Sequence, residues 1–242
     1  MIGGNNPARR IFCAIDTPAL SAALALAKTL GGHVGGVKMG LELFTAAGPE
    51  GAKALAAAAP LFLDLKFHDI PNTVAGAVRA AVALRPAYLT LHTAGGEAML
   101  RAAKEAAETA AAEAGTERPR LLGVTVLTSL DQADLDTVGL KGPVAERTLA
   151  LAELAKRAGL DGVVASAREV RAIRAHLGPD FTLAVPGLRP AFAKAGDQKR
   201  VATPAEALQA GADLLVIGRP ITEAPDPLEA VRQIVQEIDA GS

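Results

Sequence analysis

Phe62-Leu63-Asp64-Leu65-Lys66-Phe67-His68-Asp69-Ile70-Pro71-Asn72-Thr73 is an apolar run interrupted by charge. Residues 61–65 are apolar except for Asp64, the pattern of a parallel strand covered on both faces. A charge inside such a strand needs a reason. Side chains alternate along a strand, so Asp64 and Lys66 project to one side and Leu63, Leu65 and Phe67 to the other. The acid and the amine are therefore neighbours. Pro71 stops the strand, and Asn72 or Thr73 is expected to cap the following helix, which leaves Asp69 on the exit turn. The expectation is an Asp, Lys, Asp cluster at the carboxyl end of a strand.

Outward from this run, short apolar or β-branched stretches alternate with Ala-rich segments of helical length. Strands are predicted over 11–15, 34–39, 61–67, 88–92, 121–127, 162–165, 181–185 and 214–217. Helices are predicted over 19–30, 41–58, 73–84, 96–114, 144–158, 168–176, 204–210 and 227–239. Strand followed by helix eight times points to an α/β fold of the (β/α)8 TIM-barrel class more readily than to an open doubly wound sheet. No composition shift or long linker divides the chain, so residues 1–242 are expected to form one domain. The tract 102–114 is Ala-rich, but its Lys and Glu residues make it a solvated helix and not a linker.

Composition narrows the function. With 242 residues and 50% hydrophobic content, the chain is long enough to bury one large core. Twenty-five basic against 26 acidic residues, a net charge of -1, offer no electrostatic basis for binding nucleic acid or an anionic membrane. Cys13 is the only cysteine, which excludes a disulfide framework and a cysteine-based zinc site. Residues 1–10 are polar and no apolar run reaches the roughly 18 residues of a membrane span. A cytoplasmic protein with a small-molecule ligand is expected.

In a barrel of this kind chemistry sits where strands end. Asp16, Lys38, Asp64, Lys66, Asp69, Thr128, Arg189, Gly218 and Arg219 fall there, and Gln198 lies in the loop after the seventh strand. Gly218, Arg219 and Gln198 could supply a close backbone approach, a guanidinium fork and a side-chain amide to a phosphate. Taken alone, the Gly-Arg pair also fits a turn with a solvated charge, and Asp64 with Lys66 fits a plain ion pair. Lys38 and Asp69 beside them favour a functional array. His92 and His68, without supporting ligands, read as packed or hydrogen-bonded wall residues. Cys13 reads as a small core hydrophobe, and Arg168, Glu169, Arg171 and Arg174 as a solvated helix face.

Seven segments, in order, carry a resemblance: Ala14-Ile15-Asp16-Thr17-Pro18, Val37-Lys38-Met39-Gly40-Leu41-Glu42-Leu43-Phe44, Asp64 through Thr73, Val126-Leu127-Thr128-Ser129, Pro186-Gly187-Leu188-Arg189-Pro190, Gly196-Asp197-Gln198-Lys199-Arg200 and Val216-Ile217-Gly218-Arg219-Pro220. Together they resemble the orotidine 5'-phosphate decarboxylases over nearly the whole chain, with Asp-x-Lys-x-x-Asp-Ile-Pro-Asn-Thr the most specific piece. Ile15 and Leu188 depart conservatively from the usual Leu and Ile. The resemblance implies conversion of orotidine 5'-monophosphate to UMP and carbon dioxide with no cofactor and no metal. It implies a line of alternating charge, Lys38, Asp64, Lys66 and Asp69, in which Lys66 stabilises and protonates C6. By the same resemblance Lys38 and Asp16 contact the ribose, and Thr128 faces the pyrimidine edge. Gln198, Gly218 and Arg219, with Arg189 nearby, hold the phosphate under a lid over 187–199. It further implies a homodimer in which Asp69, Ile70 and Thr73 enter the partner's site.

Three other readings fit parts of the pattern. Magnesium-dependent sugar-phosphate enzymes of the same barrel share Asp-x-Lys-x-x-Asp, but place a metal-binding Glu where this chain has Lys38, whose cation would repel Mg2+. A Schiff-base aldolase would want a depressed lysine pKa and not flanking carboxylates. A nucleotide-phosphate sensor would not need the complete array.

Overall fold

The alternation seen in the sequence closes into a ring. In the computed structural model, which describes residues 6–193 and 202–241, the strands are β1 (Ile11–Ile15), β2 (Gly36–Met39), β3 (Leu61–Phe67), β4 (Tyr88–His92), β5 (Arg120–Val124), β6 (Gly162–Val164), β7 (Thr182–Val185) and β8 (Leu214–Ile217). They pair in parallel in chain order, and β8 pairs with β1. The helices are α1 (Leu20–Leu30), α2 (Leu41–Ala58), α3 (Pro71–Val82), α4 (Gly96–Ala114), α5 (Gln132–Thr137), α6 (Val144–Arg157), α7 (Ala167–Leu177), α8 (Pro204–Gln209), α9 (Arg219–Thr222) and α10 (Pro227–Ala240). The chain folds as the expected (β/α)8 barrel. No helix among the described residues is long and apolar enough to cross a membrane.

The strict alternation of strand side chains produces two cores. One face of the sheet packs against the helices through fully buried residues such as Ile11, Cys13, Val37, Met39, Leu63, Leu89 and Leu91. The other face fills the barrel, where Phe12, Phe62, Tyr88, Leu122, Ala184 and Leu214 pack together. The rings of Phe12, Phe62 and Tyr88 meet with centroids 5.3 to 5.9 Å apart, and each buried aromatic contributes about 1.5–3 kcal/mol. Gly36 makes this possible, because a Cβ there would stand 2.6 Å from the Phe12 ring and 2.3 Å from the Pro60 carbonyl oxygen. The aromatic layer closes the barrel from below, so the polar residues one step further along each strand have a rigid base.

Several local expectations are corrected. Pro71 opens α3 as its first residue, so Asn72 and Thr73 lie inside the helix and do not cap it. Proline's fixed φ and missing N–H suit that position. α2 is broken at Gly48, whose φ of 62° precedes Pro49, since a residue before proline avoids the helical region. The stretch after β5 forms the unexpected α5, started by a reciprocal capping box between Asp131 and Asp134. The α7 charges divide: Arg168 and Arg171 are exposed, but Glu169 is buried. Arg174 donates to the carbonyls of Gly178, Pro179, Phe181 and Gly211 and to Asp213. It ties α7 to the loops entering β7 and β8 instead of facing solvent.

Cys13 sits fully buried on the helix-facing side of β1. Burial, aided by the nearby Asp16 carboxylate and opposed by Lys38, pushes its thiol up to about 12. At neutral pH it is a thiol with neither charge nor access, and reactivity follows the thiolate. A disulfide reagent such as DTNB should leave the folded protein untouched and titrate one thiol per chain after unfolding in guanidinium; rapid labelling of the native protein would contradict this placement.

Candidate active site

Inward-facing positions two residues apart carry the polar groups to the carboxyl end of the barrel. From β1 to β4 the inward rows run Phe12, Ala14, Asp16; Gly36, Lys38; Phe62, Asp64, Lys66; and Tyr88, Thr90. Asp64 is at their centre. Its Oδ2 takes a hydrogen bond from Lys66 Nζ at 2.9 Å and lies 3.4 Å from Lys38 Nζ. Its Oδ1 accepts from Thr90 Oγ1 at 2.9 Å. Lys38 Nζ also lies 3.7 Å from Asp16 Oδ1, whose side chain is 60% exposed.

Burial alone would raise the Asp64 pKa, since the idealised penalty for a desolvated carboxylate is several kcal/mol. The charges of Lys38 and Lys66 and the hydrogen bonds from Lys66 and Thr90 outweigh it and hold the carboxyl below its ordinary value. The carboxylate is therefore kept ionised by its partners.

Lys66 has a φ of 51°, one of two non-glycine residues with positive φ among those described. The register between β3 and β4 shifts between Leu63 and Phe67. The simple alternation read from the sequence thus ends in a bulge, a device that re-aims side chains near active sites. A left-handed lysine costs about 1–3 kcal/mol, and the ion pair at 2.9 Å is the contact it obtains.

The opposite side of the mouth is apolar. Val124, Val126, Leu127, Val164, Ala165, Pro186 and Val216 line a cavity of about 260 Å³ shared with Asp16, Lys38, Asp64 and Lys66. Gly218, Arg219 and Arg189 close it on the β7 and β8 side, with Arg189 itself buried. Thr128 lines the cavity too, but from a turn four residues beyond β5 and not from the strand end. Gln198 and the 194–199 part of the expected 187–199 lid lie outside the described residues.

Asp69 departs from the expected cluster, and Ile70 and Thr73 follow it on the exit turn and the first turn of α3. All three are exposed, Ile70 by 67%. Asp69 does not line the cavity, and its carboxylate accepts from the backbone N–H of Ile70 at 2.6 Å. The three-residue Asp, Lys, Asp cluster expected at the end of β3 is therefore not formed within one chain: the exit turn carries Asp69 outward, while Lys66 turns in. His68 and His92 stack with ring centroids 5.1 Å apart, and His92 Nδ1 accepts from the Ala94 N–H. Burial, with His68 and Lys66 nearby, lowers the His92 pKa, which fits a neutral wall residue.

Two contributors escaped the sequence reading. Thr90 is fully buried behind the charges, where a lone Thr in an apolar strand carries no signal. Gly40 leaves room for them: a Cβ there would lie 3.1 Å from Lys38 Nζ and 3.3 Å from Asp16 Oδ1. Its place two residues after Lys38, at the end of a strand, was the available sign.

A buried carboxylate between two lysines, facing an apolar wall with two arginines at one end, can seat an anionic ligand and stabilise negative charge developing beside Lys66. Comparison with known proteins identifies the family. Residues 9–234 match the family described as Orotidine 5'-phosphate decarboxylase / HUMPS family. An orotidine 5'-phosphate decarboxylase of Rhodospirillum rubrum is 55% identical over 230 residues, 94% of this chain and 93% of that protein. One from Paramagnetospirillum magneticum is 54% identical over 94% of this chain and 97% of its own length. The crystal structure of orotidine 5'-phosphate decarboxylase from Lactobacillus acidophilus superposes with a TM-score of 0.84 at 37% identity, covering 96% of this chain and 99% of that one. With its barrel, its cavity and its match over residues 9–234, the chain belongs to the orotidine 5'-phosphate decarboxylase / HUMPS family.

Proposed function

We propose that this cytoplasmic enzyme converts orotidine 5'-monophosphate to UMP and carbon dioxide without a cofactor, the last step of de novo UMP synthesis. The observation that carries this reading is the array of buried Lys38 and Asp64 with half-buried Lys66 at one end of a cavity whose other end holds Arg189 and Arg219. The bond from C6 to the carboxylate carbon breaks, carbon dioxide leaves, and its bonding pair stays on C6. That pair is orthogonal to the ring π system, so a fixed cation is its stabiliser. Lys66 supplies the charge and then transfers a proton from Nζ to C6, recovering one from solvent. Asp64 holds Lys66 in place, Lys38 and Asp16 take the ribose hydroxyls, and Thr128 meets the pyrimidine edge. Arg189, Gly218 and Arg219, with Gln198, take the phosphate. In the metal-dependent relatives a Glu occupies the β2 position of Lys38; here an ammonium 3.4 Å from Asp64 stands there, which favours the metal-free reaction.

The barrier reductions open to enzymes reach roughly 23 kcal/mol, while one oxyanion-type contact supplies about 2.7–4 kcal/mol. Phosphate binding remote from C6 therefore contributes by fixing the ring against the array. Asp69, Ile70 and Thr73 are exposed, which supports contact with a second copy, and we assign them the role of entering its site in a homodimer.

Decay of orotidine 5'-monophosphate absorbance in EDTA, with UMP identified as product, tests the reaction; Lys66→Ala should lower kcat by at least about a thousandfold. Turnover only of a sugar phosphate, and only with Mg2+, would sink the assignment. Sharing of sites is tested by mixing Lys66→Ala with Asp69→Ala. A symmetric dimer with shared sites should regain roughly a quarter of wild-type activity at equal mixing, and none after verified exchange would refute sharing.

Asp64 also sets an acid limit. Its pKa is lower folded than unfolded, so its contribution is fully present above the ordinary value of 3.8 and is lost as pH falls below it toward the folded pKa. Asp64→Asn should destabilise the protein at pH 7 by about 1–3 kcal/mol, measured by urea denaturation. The gap from wild type should narrow below pH 4, and a constant gap across that window would be the contrary result.

A further inference from the structure

Thr90 has three properties that together set it apart from the other buried hydroxyls. It is wholly enclosed, it does not line the cavity, and its single oxygen touches both chemical residues of β3. The Lys66 backbone N–H donates to Thr90 Oγ1 at 2.9 Å, and Oγ1 donates to Asp64 Oδ1 at 2.9 Å. A hydroxyl has one proton and two lone pairs. With the N–H of Lys66 pointing at a lone pair, the proton is directed to the carboxylate, and the chain N–H, hydroxyl, carboxylate has one polarity.

The first of these bonds falls where the sheet ladder is interrupted. The β3 and β4 register runs through Leu63 with Leu89 and resumes at Phe67 with Leu91. Between them Lys66 takes its left-handed conformation, and its N–H finds the Thr90 side chain. The hydroxyl therefore holds the bulge that aims Nζ inward. Its second bond fixes the Asp64 oxygen opposite the one that receives both ammonium groups.

We propose that Thr90 is a positioning residue that sets the Lys66 ammonium for proton delivery by clamping the Lys66 backbone and the Asp64 carboxylate at once, resting on the decarboxylase reading above. It does not itself line the cavity, so its loss should fall on the chemical step and not on substrate binding. A displacement of about 1 Å in a reacting group is enough to change a rate roughly a hundredfold.

The experiment compares wild type, Thr90→Val and Thr90→Ser on orotidine 5'-monophosphate, well below the unfolding temperature of each. Thr90→Val keeps the volume and removes both hydrogen bonds; kcat should fall roughly 10- to 100-fold with KM changed less than about twofold. Thr90→Ser keeps the hydroxyl and should restore kcat to within about threefold of wild type. Should Thr90→Val not fold, Thr90→Cys, of similar volume and far weaker hydrogen bonding, takes its place against Thr90→Ser. Wild-type kcat in the hydroxyl-free variant, a loss confined to KM, or a Ser variant as impaired as the Val variant would each overturn the clamp. A wild type inactive on the nucleotide would instead bring down the decarboxylase reading, and the role of Thr90 with it.

Discussion

One carboxylate buried among cations is the interaction on which the site depends. Asp64 could not stay ionised inside a barrel unless its neighbours offset the desolvation of a buried charge. They do so from three strands: Lys38 from β2, Lys66 from β3 and Thr90 from β4. Each partner then becomes obligatory, since removing one leaves a buried charge undercompensated. The aromatic layer of Phe12, Phe62 and Tyr88 keeps these strands from adjusting beneath the charges, so the geometry is set by packing before any ligand is considered.

The barrel was legible because its information is periodic. Eight strand and helix alternations, each with Val, Ile or Leu runs and Ala-rich helices, survive errors of one to three residues at their ends, and β1, β3, β4 and β8 have the bounds expected. The residues at the strand ends were legible because charge in an apolar strand is costly and so informative. The remainder depended on conformation. Nothing in the sequence around Lys66 announces a left-handed backbone, and the inward aim of its ammonium needed β4 to supply a hydroxyl from 24 residues away. Thr128 was placed by chemistry correctly at the cavity and by secondary structure wrongly on the strand. Arg174, by composition a surface charge, fastens loops through carbonyls no periodicity reveals.

The cavity separates its tasks around the ring. Charges cluster on β1 through β4, apolar side chains follow β5 and β6, and the arginines sit by β7 and β8. This division suits a ligand with an anionic end and a polar, reactive end joined by a flat middle. The apolar wall lowers the local dielectric on the side facing the lysines, which strengthens their field where it is used. It also leaves few groups there to compete with the ligand for the lysine donors.

Two ammonium groups converge on one carboxylate oxygen, Asp64 Oδ2, at 2.9 and 3.4 Å. Asp16 adds only a contact of 3.7 Å from a largely exposed position, where screening makes it weak. The buried centre thus carries more positive than negative charge. That imbalance is useful if negative charge is to grow on a neighbouring carbon, because the lysine need not abandon a matched partner to meet it. Lys66 is the less buried of the two lysines, with its side chain 30% exposed against 10% for Lys38, so its ammonium is the one with freedom on the cavity side. A further carboxylate brought to that open side from another chain would pin the lysine in its reactive orientation while leaving the Asp64 oxygen shared as before. Asp69 is carried outward on the turn that follows the bulge, so the backbone distortion that turns one lysine in also sends the next acid out. In the proposed homodimer a single stretch of chain would thereby serve two sites.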